Sequence, residues 1–80
     1  MIRVRLREAI EQHQRATGEK VTYSSLARAT GLSRSTIEAI GSRAGYQPSL
    51  YVIDQLCGVL RCELSELLER VPSRGGRKVR

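Results

Sequence analysis

A single glycine between two helical patterns constrains this chain more than any other feature. Leu26, Ala27 and Thr30 are spaced to share one face of a helix over about residues 23–30. Gly31 then supplies the positive φ that ends a helix in a tight turn. Leu32 follows as an apolar plug, and Ser33 is a good N-cap for a second helix over about 34–41. Ile37 and Ile40, three residues apart, carry that helix's buried face. So short a connection forces the two helices into contact, and Ala27 is small where they approach. Two helices joined by a three- to four-residue turn with a glycine have the layout of a helix-turn-helix.

The rest of the chain has to build a core around this unit from a restricted palette. Eighty residues allow one small domain, and 40% hydrophobic with 28% charged side chains describe a folded, soluble class. With three Tyr and no Phe or Trp, the core must be Leu, Ile, Val and Ala, which favours close-packed helices. No apolar run nears the roughly 18 residues of a membrane span. Glu8 and Glu11 interrupt any signal-peptide core after Arg3, Arg5 and Arg7, so the expected compartment is the cytoplasm. Cys57 and Cys62 are read there as reduced thiols, Cys57 as a small buried hydrophobe. His13 is the only histidine, which leaves a zinc site short of ligands; it is read as a surface or boundary residue.

In chain order, Ile2 and Val4 alternate with Arg3 and Arg5, which suits a short extended arm over 2–4. Two placements stay open for it: pairing with the same strand of a second copy, or covering one end of the core. Leu6, Ala9, Ile10 and His13 then share a helical face over about 5–17, ended by Thr17-Gly18. Val21 anchors the next linker, and Thr22 is an N-cap with Ser25 as an imperfect capping-box partner. Residues 41–49 form a loop, and Pro48-Ser49 starts another helix. Its core-facing stripe is Leu50, Ile53, Leu56, Cys57 and Leu60. A last helix is expected over about 64–70, with Leu64, Leu67 and Leu68 inward and Glu63, Glu66 and Glu69 outward. Pro72 ends it, so the folded domain spans 1–71 and residues 72–80 form a flexible basic tail.

Charge is segregated along the chain. Eight basic and four acidic side chains give residues 1–46 a charge of +4, residues 47–69 carry −3 and residues 70–80 carry +5. A basic half that contains two helices around a tight turn points to a polyanionic partner. No base, nucleophile and metal constellation can be assembled, so neither an enzyme nor a cofactor is expected.

The run Thr22 to Ile40 resembles the helix-turn-helix of the Xre/Cro/phage-repressor family, with its Leu-Ala pair, Gly-hydrophobic-Ser turn and Ser/Thr-Ile continuation. Residues 48–68, opening Pro-Ser-Leu, resemble that family's fourth and fifth helices, and the likeness covers about residues 5–71. Thr30 stands where an apolar residue is common, the loop before Pro48 differs by about one residue, and Arg61 replaces the glycine that usually follows the fourth helix. The resemblance implies an all-α fold, a compact five-helix lambda-repressor-like domain, with the helix at about 34–41 entering the major groove of double-stranded DNA. In that mode Ser33, Arg34, Ser35 and Thr36 meet base edges, with Glu38 and Ala39 one turn on. Arg34 suits bidentate bonding to guanine, and Glu38 could accept from a cytosine amino group. Tyr23, Arg43 and Tyr46 fall at backbone-contact positions. The expectation is a transcriptional regulator of the repressor kind, dimeric on an inverted repeat. The alternative is a protein-interaction module, an antitoxin or a regulator of a partner protein, working through the acidic 54–69 surface.

Overall fold

Side chains already visible in the sequence set most helix ends. The computed structural model describes residues 1–43 and 45–72. In order it contains β1 (Ile2–Val4), α1 (Leu6–Thr17), α2 (Tyr23–Thr30), α3 (Arg34–Ser42), α4 (Leu50–Leu60), α5 (Leu64–Leu67) and β2 (Leu68–Arg70). Gly18 ends α1 in the left-handed region, its N–H donating to the Gln14 carbonyl at 2.8 Å. Thr22 and Ser25 make a complete capping box: the Ser25 N–H donates to Thr22 Oγ1 at 3.0 Å and the Thr22 N–H to Ser25 Oγ at 2.9 Å. The hydroxyls of Ser33 and Ser49 accept from the backbone of Thr36 and Val52 and so start α3 and α4. Each such cap is worth about 1 kcal/mol. The Glu66 carboxylate accepts from the Glu63 N–H at 2.7 Å and from Gln12 at 2.9 Å, and these two bonds, the Glu63 one foremost, hold it below the usual carboxylate range.

All five helices feed one aliphatic core. Leu6, Ala9 and Ile10 come from α1, Leu26 and Ala27 from α2, Ile37 and Ile40 from α3, Ile53, Leu56 and Leu60 from α4, and Leu67 from α5. This is the palette that the scarcity of aromatics required. Among the described residues, no helix is long and apolar enough to cross a membrane.

Three expectations are corrected. The last helix stops at Leu67, and the next three residues form β2, antiparallel to β1 with Ile2 opposite Arg70, Arg3 opposite Glu69 and Val4 opposite Leu68. Pairing wins over another helical turn because it satisfies both backbones at once. The Arg5 N–H donates to the Leu67 carbonyl at 2.6 Å, the Val71 N–H to the Met1 carbonyl at 2.7 Å, and the Met1 ammonium to the Val71 carbonyl at 2.9 Å. Arg3 bridges Glu69 and Glu8 at 3.1 and 3.2 Å, while Val4 and Leu68 pack on the core. The arm therefore pairs with its own chain, and of its two apolar residues Val4 packs on the core while Ile2 stays exposed. Secondly, Leu50 and Leu64 are 82% and 56% exposed, so neither faces inward. Each is the first residue of its helix, and the packed stripes begin one turn later, at Ile53 and Leu67.

Thirdly, His13 is buried, not a boundary residue. Its place three residues after Ile10 turns the ring onto the end of α4. There Nδ1–H donates to the Leu60 carbonyl at 3.0 Å, and Nε2 lies 3.3 Å from the Glu19 carboxylate. The expected basic tail, apart from Pro72, lies outside the described residues.

Candidate nucleic-acid interface

The α2–turn–α3 unit is held by one buried hydroxyl, a glycine turn and one fully buried apolar residue. Thr30, an odd choice for an inward position, is buried with its Oγ1 donating to the Leu26 carbonyl at 2.8 Å and accepting from the Leu32 N–H at 3.3 Å. It thus ties the last turn of α2 to the residue beyond Gly31. Gly31 has φ 76° and ψ 10°, and its N–H donates to the Ala27 carbonyl at 2.9 Å. Ile37, fully buried, pins α3 from below.

At the other end of α3 a second constraint appears. Gly41, expected at the junction of helix and loop, lies inside the helix, which runs on to Ser42, and it faces Tyr23. A Cβ built there would stand 2.9 Å from the Tyr23 ring carbon Cζ and closer still to its hydroxyl, so only glycine lets the ring and the helix meet this closely. The half-buried Tyr23 ring packs against the core, and it lies roughly 10 Å along the helix axis from Arg34.

With α3 fixed at both ends, its first turn stands free. Ser33, Arg34, Ser35 and Glu38 are exposed, while Thr36 and Ala39 are half-buried. Ser33 is occupied as the cap and also lies 2.8 Å from Thr36 Oγ1 and 3.2 Å from Ser35 Oγ. Arg34 Nε meets Glu38 Oε2 at 3.1 Å across one helical turn, both side chains at least half exposed. Arg43 is exposed just past α3, and Tyr46, half-buried against the core, donates its N–H to the Arg43 carbonyl at 3.2 Å. The structure therefore gathers Ser33, Arg34, Ser35 and Thr36 at the first turn of α3, with Glu38 one turn on. Tyr23, Arg43 and Tyr46 lie toward the opposite end of the helix.

Residues 15–73 match the family model of the Cro/C1-type HTH DNA-binding domain. The chain belongs to that family. A comparison with curated proteins gives no match. In this Cro/C1-type domain the match begins near the end of α1 and continues past β2, so it takes in the whole α2–α3 unit and both later helices.

Sequence reasoning missed one feature of the Cro/C1-type surface. A cleft of about 390 Å³ opens between the start of the chain and the end of α3, with Ile40 and Tyr46 in its walls and Arg3, Arg7, Arg43 and Glu8, the last paired with Arg3, around it. The alternating arginines of the arm were the available signal. They were legible as a strand pattern, but nothing in their spacing said that they would stand beside α3. Among the described residues, no group of three or more His, Cys, Asp or Glu is placed to hold a metal ion.

Proposed function

We propose that this Cro/C1-type domain is a sequence-specific transcriptional regulator of the repressor kind. It inserts the first turn of α3 into the major groove and acts as a homodimer on an inverted repeat, with half-sites roughly 34 Å apart. The observation that carries this reading is the free first turn of α3, built on a helix immobilised by Ile37 and by the Tyr23–Gly41 contact. The unpaired N–H groups and positive dipole end of such a turn attract phosphate.

Arg34 bonds the O6/N7 edge of a guanine, and Ser35 and Glu38 read its neighbours, Glu38 by accepting from cytosine. Ser33, Thr36 and Ala39 shape the contact, while Tyr23, Arg43 and Tyr46 meet the backbone. The working domain is 1–71, and the basic residues of 72–80 add phosphate attraction that falls with salt. A second reading, a protein-interaction module, is favoured only by Leu64, exposed between Glu63 and Glu66 on the acidic surface.

Selection of bound sequences from a random DNA pool, with the mass of the complex measured alongside, tests the proposal. A palindromic consensus and a complex of two chains per duplex are expected. Arg34→Ala should weaken binding to the selected site by about 1–3 kcal/mol, roughly 5- to 150-fold, and relax preference at one base. Loss of an exposed ion pair with Glu38 is worth only about 0.3–0.5 kcal/mol, so the fold should stay intact. No enrichment even at low salt would sink DNA recognition. Full binding by the Arg34 variant would remove Arg34 from the reading turn, and a partner that this variant still binds would favour the second reading.

A further inference from the structure

The end of α4 carries a feature that DNA reading does not use. The helix closes at Leu60, and Arg61 takes the left-handed conformation, φ 52° and ψ 47°. The Cys62 N–H then reaches back to the Cys57 carbonyl at 3.1 Å. This is the 6→1 bond of a Schellman turn, a geometry in which the two residues it joins usually make an apolar side-chain contact. Here both are cysteine, both free, and both half-buried against the core.

The backbone bond and the shared packing bring the two cysteines together. Burial first, and then the charge and hydrogen bond of the adjacent Cys57 thiol, push the Cys62 thiol up to about 11, with Glu66 adding to the rise. A disulfide needs α-carbons about 4.4–6.8 Å apart. A single backbone hydrogen bond between the same two residues keeps them within such reach.

We propose that Cys57 and Cys62 are a built dithiol that closes to an intrachain disulfide on oxidation, fastening the end of α4 to the approach to α5. The oxidant class is a low-molecular-weight disulfide. The Cys57 thiolate attacks one of its sulfurs, breaking the small disulfide, releasing one small thiolate and leaving a mixed disulfide on Cys57. Cys62 then loses its proton and attacks Cys57 Sγ, releasing the second small thiolate. Two protein thiols lose two electrons and two protons, and the small disulfide becomes two thiols. Little Cys62 is ionised at neutral pH, so closure is slow there and quickens in alkali. The clip sits where His13 meets the Leu60 carbonyl, and it leaves the exposed turn of α3 untouched.

The test treats the native chain with oxidised glutathione at mildly alkaline pH, quenches in acid and measures the mass. The urea-unfolded chain and Cys62→Ser are treated in parallel. Trypsin cuts after Arg61, so the Cys57 and Cys62 peptides stay together only through the disulfide. The expected result is a mass lower by two hydrogens, linked peptides, faster closure than in urea and a higher urea midpoint for the oxidised chain. Cys62→Ser should instead retain glutathione on Cys57. A native chain that stops at the mixed disulfide would overturn the proposal. So would links between chains, or thiols left unreacted under conditions that close the unfolded chain.

Discussion

Replacing Gly41 with alanine tests whether the end of α3 is placed by the Tyr23 ring. In an unconstrained helix the change would stabilise, because glycine costs up to about 1 kcal/mol relative to alanine. Gly41 stands one residue from the end of α3, which puts the gain nearer about 0.5 kcal/mol. Against this, the new methyl would lie 2.9 Å from Tyr23 Cζ, closer than real Cβ contacts come, and nearer still to the hydroxyl. Either the ring leaves its packed position or α3 tilts away, and overpacking of this kind costs about 1–3 kcal/mol. The net expectation is a loss of about 1.5 kcal/mol, a fall in Tm of several degrees for a domain of this size. The sharper readout is a double-mutant cycle. In a Tyr23→Ala background the ring is gone, and the same Gly41→Ala change should stabilise by about 0.5 kcal/mol. Urea unfolding of the four proteins should thus give a reversal of sign and a coupling of about 2 kcal/mol, well beyond the roughly 0.3–0.5 kcal/mol scatter of independent sites. If Gly41→Ala stabilises in both backgrounds, the ring does not set the position of α3 and the argument fails.

Two further changes probe the corner where α4 ends. His13→Ala removes the donor to the Leu60 carbonyl and empties a buried site, so urea unfolding should show a loss of about 2–4 kcal/mol, while Glu19→Ala, whose side chain is 71% exposed, should stay within about 0.5 kcal/mol. Equal effects from the two would mean that the buried hydrogen bond is not what matters there. Arg61→Gly relieves a left-handed residue costing about 1–3 kcal/mol but adds freedom to the unfolded chain, so a modest gain of about 0.5–1 kcal/mol is expected by thermal unfolding; a loss would show that the arginine side chain earns its place.

What could be read from the sequence was whatever depended on neighbours a turn or less away. Gly31 as a left-handed terminator, Ser33 and Thr22 as caps and the Ile37/Ile40 face all follow from local chemistry, and the family likeness rested on the same residues. What was missed depends on partners far along the chain. Leu68–Arg70 continues a helical pattern in the sequence, but Ile2–Val4, more than sixty residues away, offers it a strand partner. His13 looked peripheral because its partner is a backbone carbonyl 47 residues on, and carbonyls leave no trace in side-chain spacing. Leu50 and Leu64 matched the periodicity, yet periodicity cannot say where along a helix the packing starts. At the candidate site, local pattern was enough to expect Ser33, Arg34, Ser35 and Glu38 near the start of α3, where the structure exposes them. The Arg34–Glu38 pair, the Tyr23–Gly41 contact and the arginine-rimmed cleft were not legible, because each depends on rotamers or on long-range packing.

The strand pair also changes what the charge pattern means. Along the sequence, positive charge gathers in two separate blocks with an acidic stretch between them. In space, the Met1 ammonium bonds the Val71 carbonyl, so Val71 lies beside the arm that carries Arg3. That arm walls the same cleft as Arg7 and Arg43, next to the end of α3. Arg3 itself is bridged to Glu69 within the strand pair and to Glu8 on α1, so its charge is compensated locally. Arg3 and Arg7 therefore stand on the same side of the domain as Arg43, with Glu8 beside them. A three-residue strand with most of its residues exposed contributes little to a core of this size. Its larger consequence is placement: it fixes the arm that carries Arg3 beside the end of α3.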